Sequence, residues 1–102
     1  SQETSTLILI YEQKDSDNCS RWYSKAITKI SSNNENKKTV ISALAPESWR
    51  GLSSEELILK TGMKGSIFVH KTGYLCVSKN KKTAINMAKS MLDNIETIKT
   101  FD

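Results

Sequence analysis

The sequence predicts an α+β fold, a two-layer domain in which a mixed or antiparallel sheet of about four or five strands packs with a short helix and a long C-terminal amphipathic helix. Three observations predict it. Residues 7–11 form a dense β-favouring run, residues 66–78 have the pattern of a β-hairpin, and apolar residues from position 84 onward recur every three or four positions. Because 102 residues suit one compact domain and not two, we expect residues 1–102 to form a single domain.

The first half of the chain predicts extended segments around a polar loop. Residues 7–11, Leu-Ile-Leu-Ile-Tyr, predict a largely buried strand. Residues 20–30 favour a second strand because of their aromatic and β-branched content, with a helix as the alternative. Residues 31–38 contain nothing apolar and predict an exposed, mobile loop. Residues 39–44 predict a third extended segment, which Pro46 ends.

The second half predicts a helix, a hairpin and a second helix. Ser53 starts a Ser-Ser-Glu-Glu pattern, which predicts a capping box with Glu56 and a helix from Ser54 to about residue 61 that Gly62 ends. Strands are predicted over residues 66–70 and 74–78. The apolar residues between positions 84 and 98 predict one long helix across the sheet. We expect both ends, residues 1–6 and 96–102, to be flexible.

Composition and charge narrow the class of protein. The chain is 37% hydrophobic and 25% charged, which is typical of globular domains. Its net charge of +4 favours an anionic partner but also serves solubility alone. Cys19 and Cys76 lack a zinc or disulfide spacing, so we expect free thiols in a reducing compartment. Without a long apolar run or a secretion signal, the sequence predicts an intracellular protein with no membrane partner. Since it begins with serine, we expect a piece of a longer protein.

The candidate binding residues are one histidine and a group of lysines. His70 ends a predicted strand, where it either completes local hydrogen bonds or contacts a ligand. Lys79, Lys81 and Lys82 surround the start of the last predicted helix, with Asn80 as the expected N-cap. These lysines are either solvated or, together with the helix amides, form a site for an anion.

Two neighbouring residues in the loop after Pro46 have different expected roles. We expect Trp49 to fill the core beneath the short helix. Arg50 has three open interpretations, because it could stack on a base, bind phosphate, or pair with Glu55 or Glu56.

The sequence predicts no catalytic centre within this chain. His70 has no neighbouring serine or cysteine motif that would mark a nucleophile. A metal site is not predicted either, because one histidine without closely spaced carboxylates does not form a ligand set. A free-standing enzyme would need chemistry that these residues do not supply.

Several motifs together resemble the C-terminal part of the melanocyte-proliferating-gene (MYG) protein family. They are Pro-Glu-Ser-Trp-Arg-Gly-Leu at 46–52, Gly62, Gly-Ser-Ile-Phe-Val-His at 65–70, Gly73-Tyr74, and the following helix rich in alanine and methionine. The resemblance covers roughly residues 7–93, and its Trp-Arg-Gly and Ile-Phe-Val-His blocks are the most specific. Trp22 also fits, since family members carry a tryptophan in an early strand.

The resemblance implies a larger metal-dependent hydrolase of the DHH phosphoesterase type, with 3′–5′ exonuclease action on RNA. Its manganese or magnesium would be held by an N-terminal catalytic domain of the same protein, so this part would be catalytically silent. Its implied role is to face the metal site across a cleft and to hold the substrate there, with single-stranded RNA as the expected partner. The resemblance implies that His70 and the segment after it form the contact edge. Together with the residue analysis, we expect His70, Lys71, Lys79, Lys81 and Lys82 to face phosphate, with Arg50 as a further candidate. The implied location is the nucleus, mitochondrion or cytoplasm.

One departure from the family pattern affects this expectation. Family members usually carry paired glycines soon after the Gly-aromatic step, where this chain has Leu75-Cys76-Val77. Glycines allow a backbone to approach phosphate closely, and side chains at these positions would obstruct it. The lysines beyond this segment could compensate. The alternative function is a structural or interaction module that packs on another domain or forms a homodimer.

Overall fold

The computed structural model describes residues 6–34 and 37–101 of the chain. The described residues form seven strands, two α-helices and one 3₁₀ turn, Glu47–Trp49. The strands are β1 (Leu7–Lys14), β2 (Ser20–Ile27), β3 (Lys29–Asn34), β4 (Lys37–Ala43), β5 (Ser66–Val69), β6 (Leu75–Ser78) and β7 (Ile95–Phe101), and the helices are α1 (Ser54–Thr61) and α2 (Lys81–Leu92). All of these strand pairs are antiparallel. Antiparallel sheets combined with α-helices confirm the predicted α+β class.

The first sheet has the strand order β1-β2-β6-β5, and α2 covers one of its faces. On that covered face, Ser24 Oγ donates to the Ala84 carbonyl at 2.7 Å, and Cys76 Sγ lies 3.7 Å from Met91 Sδ. Successive residues of a strand point to opposite faces, so their neighbours in sequence point away from α2. The sheet therefore has one covered face and one face directed away from the helix.

The hydrophobic core lies between the covered face, α2 and the segment that follows β4. Its buried members are Ala26, Ala43, Ala45, Trp49, Leu57, Val69, Cys76, Met87 and Met91. Trp49 is only 8% exposed and packs with Leu57 of α1, which confirms the predicted core role of this tryptophan. The core thus fixes α1 and the hairpin of β5 and β6 to the rest of the domain.

The second sheet, β3-β4-β7, corrects two sequence predictions. The loop predicted over residues 31–38 is wrong, because residues 31–34 extend β3 and residues 37–38 begin β4. β3 is an edge strand, whose backbone can pair with β4 without apolar side chains. The two-residue connection, 35–36, lies outside the described residues.

The prediction of a long C-terminal helix is also wrong. Helix α2 ends at Leu92, and the chain turns through Asp93 and Asn94 into β7. The Asn94 side chain donates to the Leu44 carbonyl at 3.0 Å, which holds this turn against the end of β4. Residues 96–101, predicted as a flexible end, belong to β7, and their mobility stays a prediction. Most of the other predicted flexible end, residues 1–5, lies outside the described residues.

Two of the predicted helix ends are confirmed, and two other local predictions are wrong. Gly62 ends α1 with a left-handed φ of 72°, as predicted. Asn80 caps α2, because its Oδ1 accepts from the Thr83 amide at 2.8 Å. The capping box at Ser53 is wrong, since its side chain makes no capping hydrogen bond. The prediction that β1 is largely buried is also wrong, because Leu7 is 67% exposed.

Among the helices in the described part of the chain, neither has the length and apolar character needed to cross a membrane.

Candidate functional site

The hairpin of β5 and β6 carries the predicted binding residues at its two ends. His70 and Lys71 follow β5 at the hairpin turn, whereas Lys79 follows β6 at the opposite end. The four residues of β6 lie between these groups, a separation of about 13 Å at the usual rise per strand residue. The predicted residues therefore form a strip along the hairpin and not a single point.

His70 is held in one orientation by the turn that follows it. Its Nδ1 accepts from the Thr72 amide at 3.1 Å and lies 2.8 Å from Thr72 Oγ1. The ring also meets Phe68 edge to face, with 6.3 Å between the ring centroids. Because Nδ1 is used as an acceptor, a neutral His70 carries its proton on Nε2. The local hydrogen-bonding role is confirmed, and Nε2 is the nitrogen able to donate to a ligand.

Lys79, Lys81 and Lys82 are all exposed around the start of α2. Within the described part of the chain, none of the three has an ion-pair partner. Lys81 Nζ lies 5.9 Å from the centroid of the Trp22 ring, a cation–π contact that orients this side chain. Lysines in a first helical turn oppose the helix dipole, so an anion there would relieve an unfavourable arrangement.

Gly65 lets the hairpin approach the α2 cap, a role that the sequence did not reveal. The Gly65 carbonyl accepts from the Lys79 amide at 2.8 Å. A Cβ at Gly65 would overlap Thr83 Oγ1 and would lie 2.8 Å from Asn80 Nδ2. Close contact between the hairpin and the cap thus positions the lysine group at the end of β6.

An open cleft of about 350 Å³ lies beside the lysine group. Its lining includes Arg21, Lys79, Ser54 and Glu55. Arg21 was not among the predicted residues. It alternates with Tyr23 and Lys25 along β2, and this period of two could have placed all three on one face. The cleft brings Arg21 of β2 and Lys79, which follows β6, to one end of the first sheet, together with the Glu55 carboxylate.

Arg50 pairs with neither Glu55 nor Glu56, so this alternative is wrong. Its Nη2 lies 2.6 Å from Glu96 Oε2, and its Nε donates to the Ala45 carbonyl at 3.0 Å. The side chain is only 17% exposed. This arrangement gives Arg50 a structural role, because it links the segment after β4 to β7, and its contact with phosphate stays a prediction.

The Leu75-Cys76-Val77 segment forms the first three of the four residues of β6, a central strand of the first sheet. β6 pairs with β2 on one side and β5 on the other, so its backbone groups are engaged in sheet hydrogen bonds. Cys76 points into the core and is fully buried. Contact with phosphate through this backbone would require breaking the sheet, so any binding here must use side chains.

The described residues do not fit a divalent metal. No group of three or more histidine, cysteine, aspartate or glutamate side chains comes together among them. Burial raises the pKa of the Cys76 thiol to about 12, which keeps it protonated and unsuited to metal binding or nucleophilic attack near neutral pH. What the site offers is cations and hydrogen-bond donors directed toward solvent.

Comparison with known proteins identifies the family. A family model of the MYG1 exonuclease family, described as an uncharacterised protein family (UPF0160), matches residues 1–92. The chain belongs to this family. The resemblance found from the motifs is thereby confirmed at the level of the family.

Relatives in three organisms match about half of the chain. A MYG1 protein of Schizosaccharomyces pombe is 42% identical over 48 residues, which is 47% of this chain and 15% of that protein. A MYG1 exonuclease of Rattus norvegicus is 43% identical over 47 residues, which is 46% of this chain and 12% of that protein. The human MYG1 exonuclease is 40% identical over 47 residues, which is again 46% of this chain and 12% of that protein. The chain therefore spans only a small part of these relatives. No solved structure matches it.

Proposed function

We propose that this chain is the substrate-holding part of an RNA exonuclease of the MYG1 family. In this proposal it is the C-terminal domain of a DHH-type metal-dependent phosphoesterase, inside the cell. The manganese or magnesium that supplies the hydrolytic chemistry is held by an N-terminal domain of the same protein. The family membership and the names of the rat and human relatives support an exonuclease. The chain itself contributes binding and not hydrolysis.

The observation that carries the proposal is the exposed lysine group, Lys79, Lys81 and Lys82. These three cations lie together at one end of β6, without ion-pair partners among the described residues. Each can neutralise a phosphate and release a counterion, which is how proteins bind nucleic acid irrespective of its sequence. His70 and Lys71 extend the contact to the other end of the hairpin. The separation of about 13 Å between the two groups corresponds to about four stacked nucleotides.

The test is a titration of a fluorescently labelled oligouridylate with the 102-residue chain, followed by anisotropy over a range of salt concentrations. We expect weak binding that falls with salt. The double variant Lys81→Gln with Lys82→Gln should weaken it and lower the slope of log K against log salt by about 0.7 for each contact removed.

The matched control removes the same charge from the second sheet. Lys38 and Lys99 are exposed on β4 and β7, remote from the lysine group in the sheet order. Lys38→Gln with Lys99→Gln should leave the salt slope unchanged. No binding by the wild-type chain at low salt, or an equal loss in both double variants, would overturn the proposal.

One observation favours a second candidate, an interaction module. Leu59 on α1 is 85% exposed, beside Ile58 in a shallow depression. An apolar side chain in this position suits packing on another domain or on a second copy. Sedimentation of the chain distinguishes the homodimer. A dimer that Leu59→Ser converts to a monomer would support this candidate, and a wild-type monomer at all concentrations would exclude the homodimer.

A further inference from the structure

The first sheet presents an open face opposite the one that α2 covers. We use open face for the surface formed by alternate residues of β1 from Leu7 and of β2 from Arg21, together with Leu75 and Val77 of β6 and Phe68 of β5. The core residues of this sheet, Ala26, Val69 and Cys76, all belong to the covered face. No residue of the open face belongs to the core cluster, although Val77 itself is buried.

An aromatic row crosses the open face from edge to edge. Tyr11 of β1 lies opposite Tyr23 of β2, Tyr23 opposite Val77 of β6, and Val77 opposite Phe68 of β5. The two tyrosine rings are stacked, with 5.2 Å between centroids and 9° between planes. Tyr11, Tyr23 and Phe68 all remain partly exposed. The row spans about 14 Å at the usual spacing between strands.

Cations flank this row, and the strand positions of the open face include no carboxylate. Arg21 and Lys25 lie on β2 on either side of Tyr23, two residues away in each direction. The Asp15 carboxylate, in the turn after β1, lies 3.6 Å from Arg21, but the Arg21 side chain is 45% exposed and the pair is weak. At the same end, Arg21 shares a cleft with Lys79. The open face therefore meets the lysine group at Lys79.

We propose that the open face binds the bases of single-stranded RNA, which stack on Tyr11, Tyr23 and Phe68 while Arg21 and Lys25 contact phosphates. Aromatic side chains on a sheet, bordered by cations, bind single strands because every base has a face that can stack. This inference rests on the proposed function, which assigns the lysine group to the same strand of RNA. It adds a second contact, one that recognises bases.

A second copy of the chain fits this face less well. In a two-fold symmetric contact, the same patch of each copy meets the other. The cations Arg21 and Lys25 of both copies would then be brought together with no carboxylate on the open-face strands to separate them. Like charges in a contact of this kind oppose association. A single strand of RNA can place its phosphates against the cations and stack its bases on the aromatic rings.

The experiment compares oligouridylate with an abasic strand of the same length and backbone. Replacing Tyr23 by leucine keeps an apolar side chain on the strand but removes the ring. We expect Tyr23→Leu to raise the Kd for oligouridylate by about fivefold or more, the usual loss for one stacked base. The Kd for the abasic strand should not change. Tyr23→Phe, which keeps the ring, should bind both strands as the wild type does.

Two further variants complete the experiment, one as a control and one as a replacement if Tyr23→Leu does not fold. Ile30→Thr alters an exposed apolar residue of β3, in the second sheet, and should leave both Kd values unchanged. If Tyr23→Leu does not fold, as judged by circular dichroism, Tyr11→Leu on the edge strand replaces it. An equal loss for both strands would overturn stacking, because it would not depend on the bases.

The results also separate this inference from the proposed function. If Lys81→Gln with Lys82→Gln weakens oligouridylate binding but neither tyrosine variant does, base stacking is overturned and the proposed function stands. If the wild-type chain binds neither strand, both are overturned. A dimer that Leu7→Thr converts to a monomer would assign the open face to a second copy and would also overturn the inference.

Discussion

Arg50, which follows the 3₁₀ turn, forms an ion pair with Glu96 of β7, with 2.6 Å between Nη2 and Oε2. The same Glu96 oxygen accepts from Asn94 Nδ2 at 3.0 Å, and Arg50 Nε donates to the Ala45 carbonyl at 3.0 Å. These bonds connect the segment after β4 with the start of β7. The Arg50 side chain is only 17% exposed, so the contact is shielded from solvent more than an ordinary surface pair.

Arg50→Ala should lower the free energy of unfolding by about 1–3 kcal/mol, because it removes the ion pair with Glu96 and the hydrogen bond to the Ala45 carbonyl. Among the described residues, only Asn94 Nδ2 is then left to donate to these two oxygens. Urea denaturation followed by circular dichroism measures the change. Arg21→Ala is the matched control, since its pair with Asp15 spans 3.6 Å and is more exposed. That control should cost clearly less than Arg50→Ala, because an exposed ion pair contributes little to stability. Equal losses in the two variants would contradict a structural role for Arg50.

Gly73 lies directly against the Arg50 side chain. Its φ is +84°, and a Cβ built there would lie 2.7 Å from Arg50 Nε. Gly73→Ala should therefore destabilise the chain through both backbone strain, about 1 kcal/mol, and displacement of Arg50. Gly62→Ala is the control, because its φ is +72° but nothing lies within 4 Å of the added carbon. The control should show the strain alone.

A double-mutant cycle isolates the contact between Gly73 and Arg50. In the background of Arg50→Ala, the excess cost of Gly73→Ala over Gly62→Ala should disappear, because the displaced side chain is gone. The free energy of unfolding from urea denaturation is the measurement for the three single variants and the two double variants. An excess that persists without the arginine would show that backbone strain and other neighbours account for it.

The elements predicted from the sequence are those whose signals are local. The hairpin of β5 and β6, the left-handed Gly62 at the end of α1 and the Asn80 cap each depend on residues within a few positions. The second sheet could not be predicted in this way, because β7 pairs with β4, with Ala43 opposite Ile95. The spacing of apolar residues continues past Leu92, but pairing with a distant strand decides the structure there.

The candidate site was partly predictable for the same reason. The lysine group is contiguous in sequence and was found directly, whereas the open face requires the register of β1 against β2. The turn between these strands sets that register, with Asn18 at a φ of 64° and Asp15 Oδ1 accepting from the Asp17 and Cys19 amides. Without it, nothing in the sequence places Tyr11 opposite Tyr23.

The two helix starts offer a direct comparison of N-caps. Asn80 Oδ1 accepts from the Thr83 amide, whereas the Ser53 side chain makes no capping bond. Asn80→Ala should therefore cost about 1 kcal/mol of unfolding free energy, and Ser53→Ala should cost much less. Thermal and urea denaturation of both variants measure the difference. A cost for Ser53→Ala as large as that for Asn80→Ala would show that Ser53 caps α1 in solution.

The buried thiol of Cys76 should make stability depend on pH in the alkaline range. Burial raises the pKa of this thiol from 9.0 to about 12. Below pH 9 both the folded and the unfolded chain keep the proton, so the stability is fully present. Above it, the unfolded chain releases the proton first. The free energy of unfolding should then fall, by up to about 1.4 kcal/mol per pH unit, until the pH reaches the folded pKa.

Other groups titrate in this range, so the test is a difference between variants. Urea denaturation from neutral pH to about pH 10 should show the wild type losing more stability than Cys76→Ala, which has no thiol to ionise. Cys19→Ala is the control, because Cys19 is exposed and its variant should follow the wild type. A parallel loss of stability in the wild type and Cys76→Ala would show that the Cys76 proton is not linked to folding.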